Sequence, residues 1–155
     1  MKGKWSKPIT IDQETSPPRP GIYIIMNLKR LRRIGGVDPK GILYVGKSGN
    51  LQNRLGQFWN ANHPASGLLW DHPLIARNCL AKQAVSQKDV GNLLGKLYVK
   101  FLPLTSKEID KAERALLFAY MYKFGEPPPL NFNLPGHWKE KPDIIQLLWA
   151  KKAIM

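Results

Sequence analysis

A chain of 155 residues, 43% hydrophobic and 23% charged, has the balance of one globular domain and is long enough to close a single core. Its 24 Lys+Arg against 11 Asp+Glu leave a net charge of +13, a self-repelling excess that points to a polyanionic partner, nucleic acid before an acidic membrane surface. The longest apolar run, Ala115 to Tyr122, is far too short to span a bilayer, and a single cysteine with three histidines excludes an internal disulfide and argues against a zinc site.

In chain order, residues 1–20 form an extended basic lead-in. It opens "MKGKWSKPITIDQ", with early lysines and no apolar core, so no signal peptide is expected and a reducing, cytoplasmic setting is. It ends in "SPPRPG", which cannot be helical. "GIYIIM" reads as a first strand, rich in β-branched and aromatic residues. The loop "NLKRLRRIGGVDPKG" carries Lys29, Arg30, Arg32 and Arg33, closes with Gly-Gly and Asp-Pro, and is a candidate nucleic-acid contact or simply a solvated charged loop. "ILYV" is a second strand, antiparallel to the first because the connection is too short for a helical crossover.

Gly46 to Gly49 read as a turn, and Asn50 as the N-cap of a helix running to about Asn62, with Leu51, Leu55, Phe58 and Trp59 on one apolar stripe and Arg54 at its border. Residues 63–95 are partly helical but broken by Pro64, Pro73, Gly91 and Gly95. "KLYVKFLPL" (96–104) is a third strand. "TSKEIDKAERALLFAYMYKFG" is a long helix, with a capping box between Thr105 and Glu108 and Gly125 as terminator. "EPPPLNFNLPG" is extended, and "KPDIIQLLWAKKAIM" predicts a last helix over part of 136–155, packed on the domain or in a subunit contact.

Glu113 breaks the pattern. Ile109, Ala112, Leu116, Leu117, Tyr120 and Phe124 make the apolar stripe of the long helix, and Glu113 falls inside it. Its fellow acids Glu108 and Asp110 are expected in the first turn, where the helix dipole favours them. A carboxylate on an apolar face needs a cation, a metal or a hydrogen-bond network. A structural salt bridge to Lys or Arg is one reading, and ligation of a hard divalent cation is the other. Tyr23 and Tyr44 are good sheet residues taken singly, as Lys47 and Arg54 are ordinary surface charges.

Taken together, "GIY" at 21–23, "YVG" at 44–46, the helix with Arg54, Glu113 and the "PPPLN" ending at Asn131 resemble the GIY-YIG endonuclease domain over residues 21–135. The segment "YVGKSGNLQNRL" is similar to the excision-repair members of that family. The resemblance implies a small α+β fold, with a mainly antiparallel three-stranded central sheet flanked by helices. It implies a phosphodiester hydrolase acting on double-stranded or branched DNA, in a restriction-like, phage-type or repair/recombination role. In the family's terms Glu113 holds one Mg²⁺ or Mn²⁺, and Arg54 stabilises charge on the phosphate. Tyr44, with Tyr23 hydrogen-bonded close by, acts as or assists the general base, helped by the cation Lys47. Asn131 orients the Glu113 end of the site. A tyrosine with an ordinary pKa of about 10 needs such cations to work near neutrality.

The departures are the longer, basic loop between "GIY" and "YVG", and Phe58 where many members carry Tyr or His, which His63 replaces only if the helix end folds back. Asn133 is the alternative to Asn131. With no separate recognition domain expected after residue 135, targeting falls to inserted loops, a homo-oligomer or a partner. The competing function is a catalytically inactive, basic nucleic-acid-binding module on the same scaffold, since binding phosphate needs only cations. A ribosome- or RNA-associated protein is a third, and it leaves the ordered motifs without a purpose.

Overall fold

The computed structural model describes residues 3–10, 16–59, 97–131 and 141–155. The segment 63–95, expected to be partly helical, with Cys79, His63 and His72, lies outside these residues, as do Asn133, His137 and Trp138 and the side chains of Phe58 and Trp59.

The elements are β1 (Ile9–Thr10), β2 (Gly21–Met26), β3 (Leu31–Arg33), β4 (Gly36–Asp38), β5 (Ile42–Ser48), α1 (Leu51–Trp59), β6 (Tyr98–Pro103), α2 (Ser106–Phe124) and α3 (Ile144–Ile154). The class is α+β, as expected, but the central sheet has four strands, in the antiparallel order β1-β6-β2-β5. The added strand comes from the N-terminal lead-in. Strand β6 has β2 on one side only, and its other backbone groups need partners. Ser6 supplies both a backbone and a hydroxyl bond to Phe101, and Ile9 and Thr10 continue the ladder beside Val99 and Tyr98. The basic loop also differs from expectation: β3 and β4 form a separate hairpin within it.

Alternation along β2 divides the core. Ile22, Ile24 and Met26 face α2 and α3, whereas Tyr23 and Ile25 face Leu51 and Leu55 of α1. Every residue of β2 is buried, as suits a central strand covered on both faces.

The helix ends follow local chemistry. Glu108 accepts hydrogen bonds from the backbone and hydroxyl of Thr105 at the start of α2, and Gly125, with φ of 75°, closes it by donating to Met121. Asn50 caps α1 through Asn53, and Asp143 caps α3 through Gln146. Helix α3 packs on the same side of the sheet as α2, burying Ala150, Ala153 and Ile154, and Trp149 stacks on Trp5 of the lead-in at 6.2 Å between ring centroids.

Candidate active site

The site begins with a glycine. The strand expected to stop at Val45 continues to Ser48, so Gly46 and Lys47 belong to β5, not to a turn. In the ladder Gly46 stands opposite Tyr23. A methyl group at Gly46 would lie 2.6 Å from Tyr44 Cε1 and 2.7 Å from both Cζ and the hydroxyl of Tyr23. The two aromatic rings therefore occupy the space that a side chain at 46 would fill. Gly21 is constrained in the same way, since its methyl would meet the Leu102 carbonyl at 2.5 Å. The glycines of "GIY" and "YVG" are steric requirements of the paired strands.

The rings lie 6.0 Å apart, tilted by 37°. Arg54 reaches them from α1, its Nε donating to the Tyr23 hydroxyl at 3.1 Å, and Tyr44 is hydrogen-bonded to both Tyr23 and Arg54. Burial pushes both phenols up, with the neighbouring Tyr44 adding to the effect on Tyr23. Arg54 pulls each back, but it does not outweigh desolvation. The cationic lowering of Tyr44 comes from Arg54, and desolvation exceeds it. Both phenols are neutral at pH 7, able to donate and accept hydrogen bonds.

Lys47 lies an odd number of positions from Tyr44, so strand alternation sends its side chain to the opposite, α2-facing side. There its ammonium bonds Asp110 and sits 3.0 Å from Glu113 Oε2. Glu113 is 8% exposed. Lys47 makes it the salt bridge that one reading of the apolar stripe required. Desolvation alone would lower the Lys47 pKa, but its hydrogen bonds to Asp110 and Glu113 and their negative charge hold it above the ordinary value. The two halves are not isolated: the charge on Glu113 raises the pKa of both Tyr23 and Tyr44. Among the described residues β5 is an edge strand of the sheet, with the phenols on one of its faces and the Lys47–Glu113 pair on the other.

Asn131 differs from its expected role. Its Oδ1 accepts from the Val45 N–H at 2.9 Å, and its Nδ2 donates to the Val45 carbonyl at 2.7 Å. Leu130 donates to the Leu43 carbonyl beside it. The proline-led segment thereby supplies the edge strand with partners, and Asn131 anchors the backbone between Tyr44 and Gly46 directly.

The four loop cations separate. Lys29, Arg30 and Arg32 are exposed. Arg33, expected among the nucleic-acid contacts, is turned inward. Its side chain is 11% exposed, bonds the Pro127 carbonyl, pairs with Glu126 at 3.1 Å and lies over the Tyr120 ring. It docks the hairpin on the C-terminal end of α2, where Gly35 also donates to the Phe124 carbonyl. Buried Asp38 completes the junction, accepting from Ile42, Lys40 and Tyr120.

Glu113, with Asp110 beside it, suits a hard divalent ion. The carboxylates already bind a cation, the Lys47 ammonium, and oxygen donors match Mg²⁺ or Mn²⁺. Among the described residues no group of three His, Cys, Asp or Glu could hold a metal. An ion here would rely on one or two carboxylates, with water and phosphate oxygens completing its shell, a usual arrangement for Mg²⁺. Asp110 is the site residue that sequence reasoning set aside. Its signal was the i, i+3 spacing to Glu113, which puts the two carboxylates on adjoining turns of one helix face. Among known proteins, no family model, no curated sequence and no solved structure matches this chain.

Proposed function

We propose that this protein is a divalent-metal-dependent DNA endonuclease of the kind its motifs resemble. The observation that carries the reading is the convergence of Glu113, buried on an apolar helix face, with Lys47, Tyr44, Tyr23 and Arg54 around one edge of the sheet. Hydrolysis of a phosphodiester requires an oriented water, neutralisation of the phosphoryl oxygens and stabilisation of the leaving oxygen. A bound Mg²⁺ or Mn²⁺ would polarise the phosphate and neutralise developing charge. Glu113 would hold the ion, and Asp110 lies within reach of the same cation position.

Arg54 supplies fixed positive charge to the phosphoryl oxygens. Its bond to Tyr23 limits its rotation before substrate arrives. Tyr44, kept neutral by burial, positions the attacking water through its hydroxyl. Lys47 contributes a second cation near the leaving group. The exposed Lys29, Arg30 and Arg32, with the net charge of +13, supply sequence-independent affinity for the DNA backbone.

A second reading keeps the scaffold as an inactive nucleic-acid-binding module, because the Lys47–Glu113 pair satisfies the carboxylate without any metal. Cleavage of supercoiled plasmid in Mg²⁺ or Mn²⁺ separates the two. The nuclease reading expects nicking or linearisation by the wild type that is lost in Glu113→Gln and falls at least about 100-fold in Tyr44→Phe, the scale of a lost positioning contact. Salt-sensitive DNA binding with no cleavage in either metal would refute it in favour of the binding module.

A further inference from the structure

We propose that Lys47 is the resident cation of the Glu113 site, displaced from that carboxylate when a divalent ion enters and retained by Asp110, which makes Asp110 a positioning residue. This rests on the metal-dependent reading above.

One ammonium is shared by two carboxylates of α2 in unlike surroundings. Glu113 is nearly enclosed, its side chain 11% exposed, whereas Asp110 is 57% exposed and Lys47 itself 29%. A carboxylate this enclosed needs a counter-charge beside it. Lys47 supplies that charge to Glu113 at 3.0 Å. The same contact then becomes an obstacle, because a divalent ion must compete with the ammonium for Glu113.

Asp110 resolves the conflict. Lys47 already bonds it, so the lysine can leave Glu113 without travelling into solvent. A lysine held at Asp110 stays within one helical turn of Glu113. Its backbone is fixed by the pairing of edge strand β5 with Ile22 of β2. Two anchors on one rigid helix and a donor on a paired strand make an exchange between defined positions.

The test is the affinity of Mn²⁺ for the full chain without DNA, measured by calorimetry and by the electron paramagnetic resonance of free Mn²⁺. The proteins are wild type, Lys47→Met, Asp110→Asn, the double variant and Glu113→Gln, with thermal unfolding in chelator as the check on folding. Lys47→Met should tighten Mn²⁺ binding roughly fivefold, the scale of a removed, partly exposed ion pair. Asp110→Asn should weaken it roughly threefold in the wild-type background, where the displaced lysine loses its holder. That weakening should vanish when Met replaces Lys47, which is the coupling a double-mutant cycle reads.

Equal or weaker binding by Lys47→Met overturns the exchange. An undiminished Asp110→Asn effect in the Lys47→Met background also overturns it, by making Asp110 a direct ligand. Absence of Mn²⁺ binding in wild type and Lys47→Met alike overturns both the exchange and the metal-dependent reading. The predicted exchange in a protein that cleaves no plasmid leaves it standing and refutes the nuclease alone.

Discussion

Replacing Gly46 by alanine tests the link between strand register and the site most directly. Gly46 is not among the positive-φ glycines, so alanine suffers no backbone penalty there. The cost is contact. The new methyl would stand 2.6 Å from Tyr44 Cε1 and 2.7 Å from Tyr23 Cζ and its hydroxyl, far inside ordinary van der Waals separation. Tyr23 cannot easily yield, being fully buried between β5 and β6 with Phe101 beside it and Arg54 on its hydroxyl.

Overpacking of this kind costs about 1–3 kcal/mol, and weakening the bond from charged Arg54 adds up to about 1.5–3 kcal/mol. A combined loss of about 2–4 kcal/mol is expected, because movement of the rings relieves part of each. A domain of this size has about 5–15 kcal/mol in hand, so the variant still folds. Urea denaturation should show a midpoint about 1–2 M lower with an unchanged slope. Gly49→Ala is the control, since its methyl meets nothing within 4 Å. Metal-dependent plasmid cleavage should fall by about 100-fold as the rings shift relative to Arg54. Gly46→Ala as stable as Gly49→Ala would refute the steric account of the motif.

Asn131→Ala should lower stability by about 2–4 kcal/mol in denaturant titrations, because it leaves the buried N–H and carbonyl of Val45 without their partner; hydrogen exchange at the Val45 amide should accelerate with it. Arg33→Met should destabilise by about 1–3 kcal/mol, losing Glu126 and the Pro127 carbonyl, yet leave the salt dependence of DNA binding unchanged. Arg30→Ala should do the reverse, lowering that salt slope by about one unit at little cost in stability. Lys100 donates to the Ala153 carbonyl near the end of α3 and lies over the Trp5 ring. Burial, followed by repulsion from Lys40, pushes its pKa down to about 8 from the ordinary 10.5. Between those two values the unfolded chain holds a proton that the folded chain has released, so stability rises with pH through that window. Lys100→Met should abolish this rise, read by tryptophan fluorescence during unfolding at pH 7.5 and 10; an undiminished rise would place its origin elsewhere.

The parts of this molecule visible in its residue order are those governed by neighbours along the chain. The capping box of Thr105 and Glu108, the Gly125 terminator, the Asn50 cap and the stripe interrupted by Glu113 each depend on residues one helical turn apart. Strand β2 was equally plain from its unbroken apolar composition. The lead-in strand was not, because Ile9 and Thr10 become a strand only through the open edge of β6. The hairpin in the basic loop likewise depends on its junction with α2, where Arg33 finds Glu126 far along the chain.

The same division runs through the site. Local spacing was enough to single out Glu113, which breaks the apolar stripe of its helix, whereas Tyr23, Tyr44, Lys47, Arg54 and Asn131 were marked by the motifs that carry the family resemblance. Only the packed structure decided what each one touches. Lys47 and Asp110 are separated by 63 positions, and Asn131 lies 86 beyond Val45. No periodicity spans such intervals. The upward shift of the tyrosine pKa values is also a tertiary property, since desolvation depends on everything packed around a hydroxyl and not on its neighbours in the chain. Local order and motif resemblance marked the residues; burial and strand register set their partners.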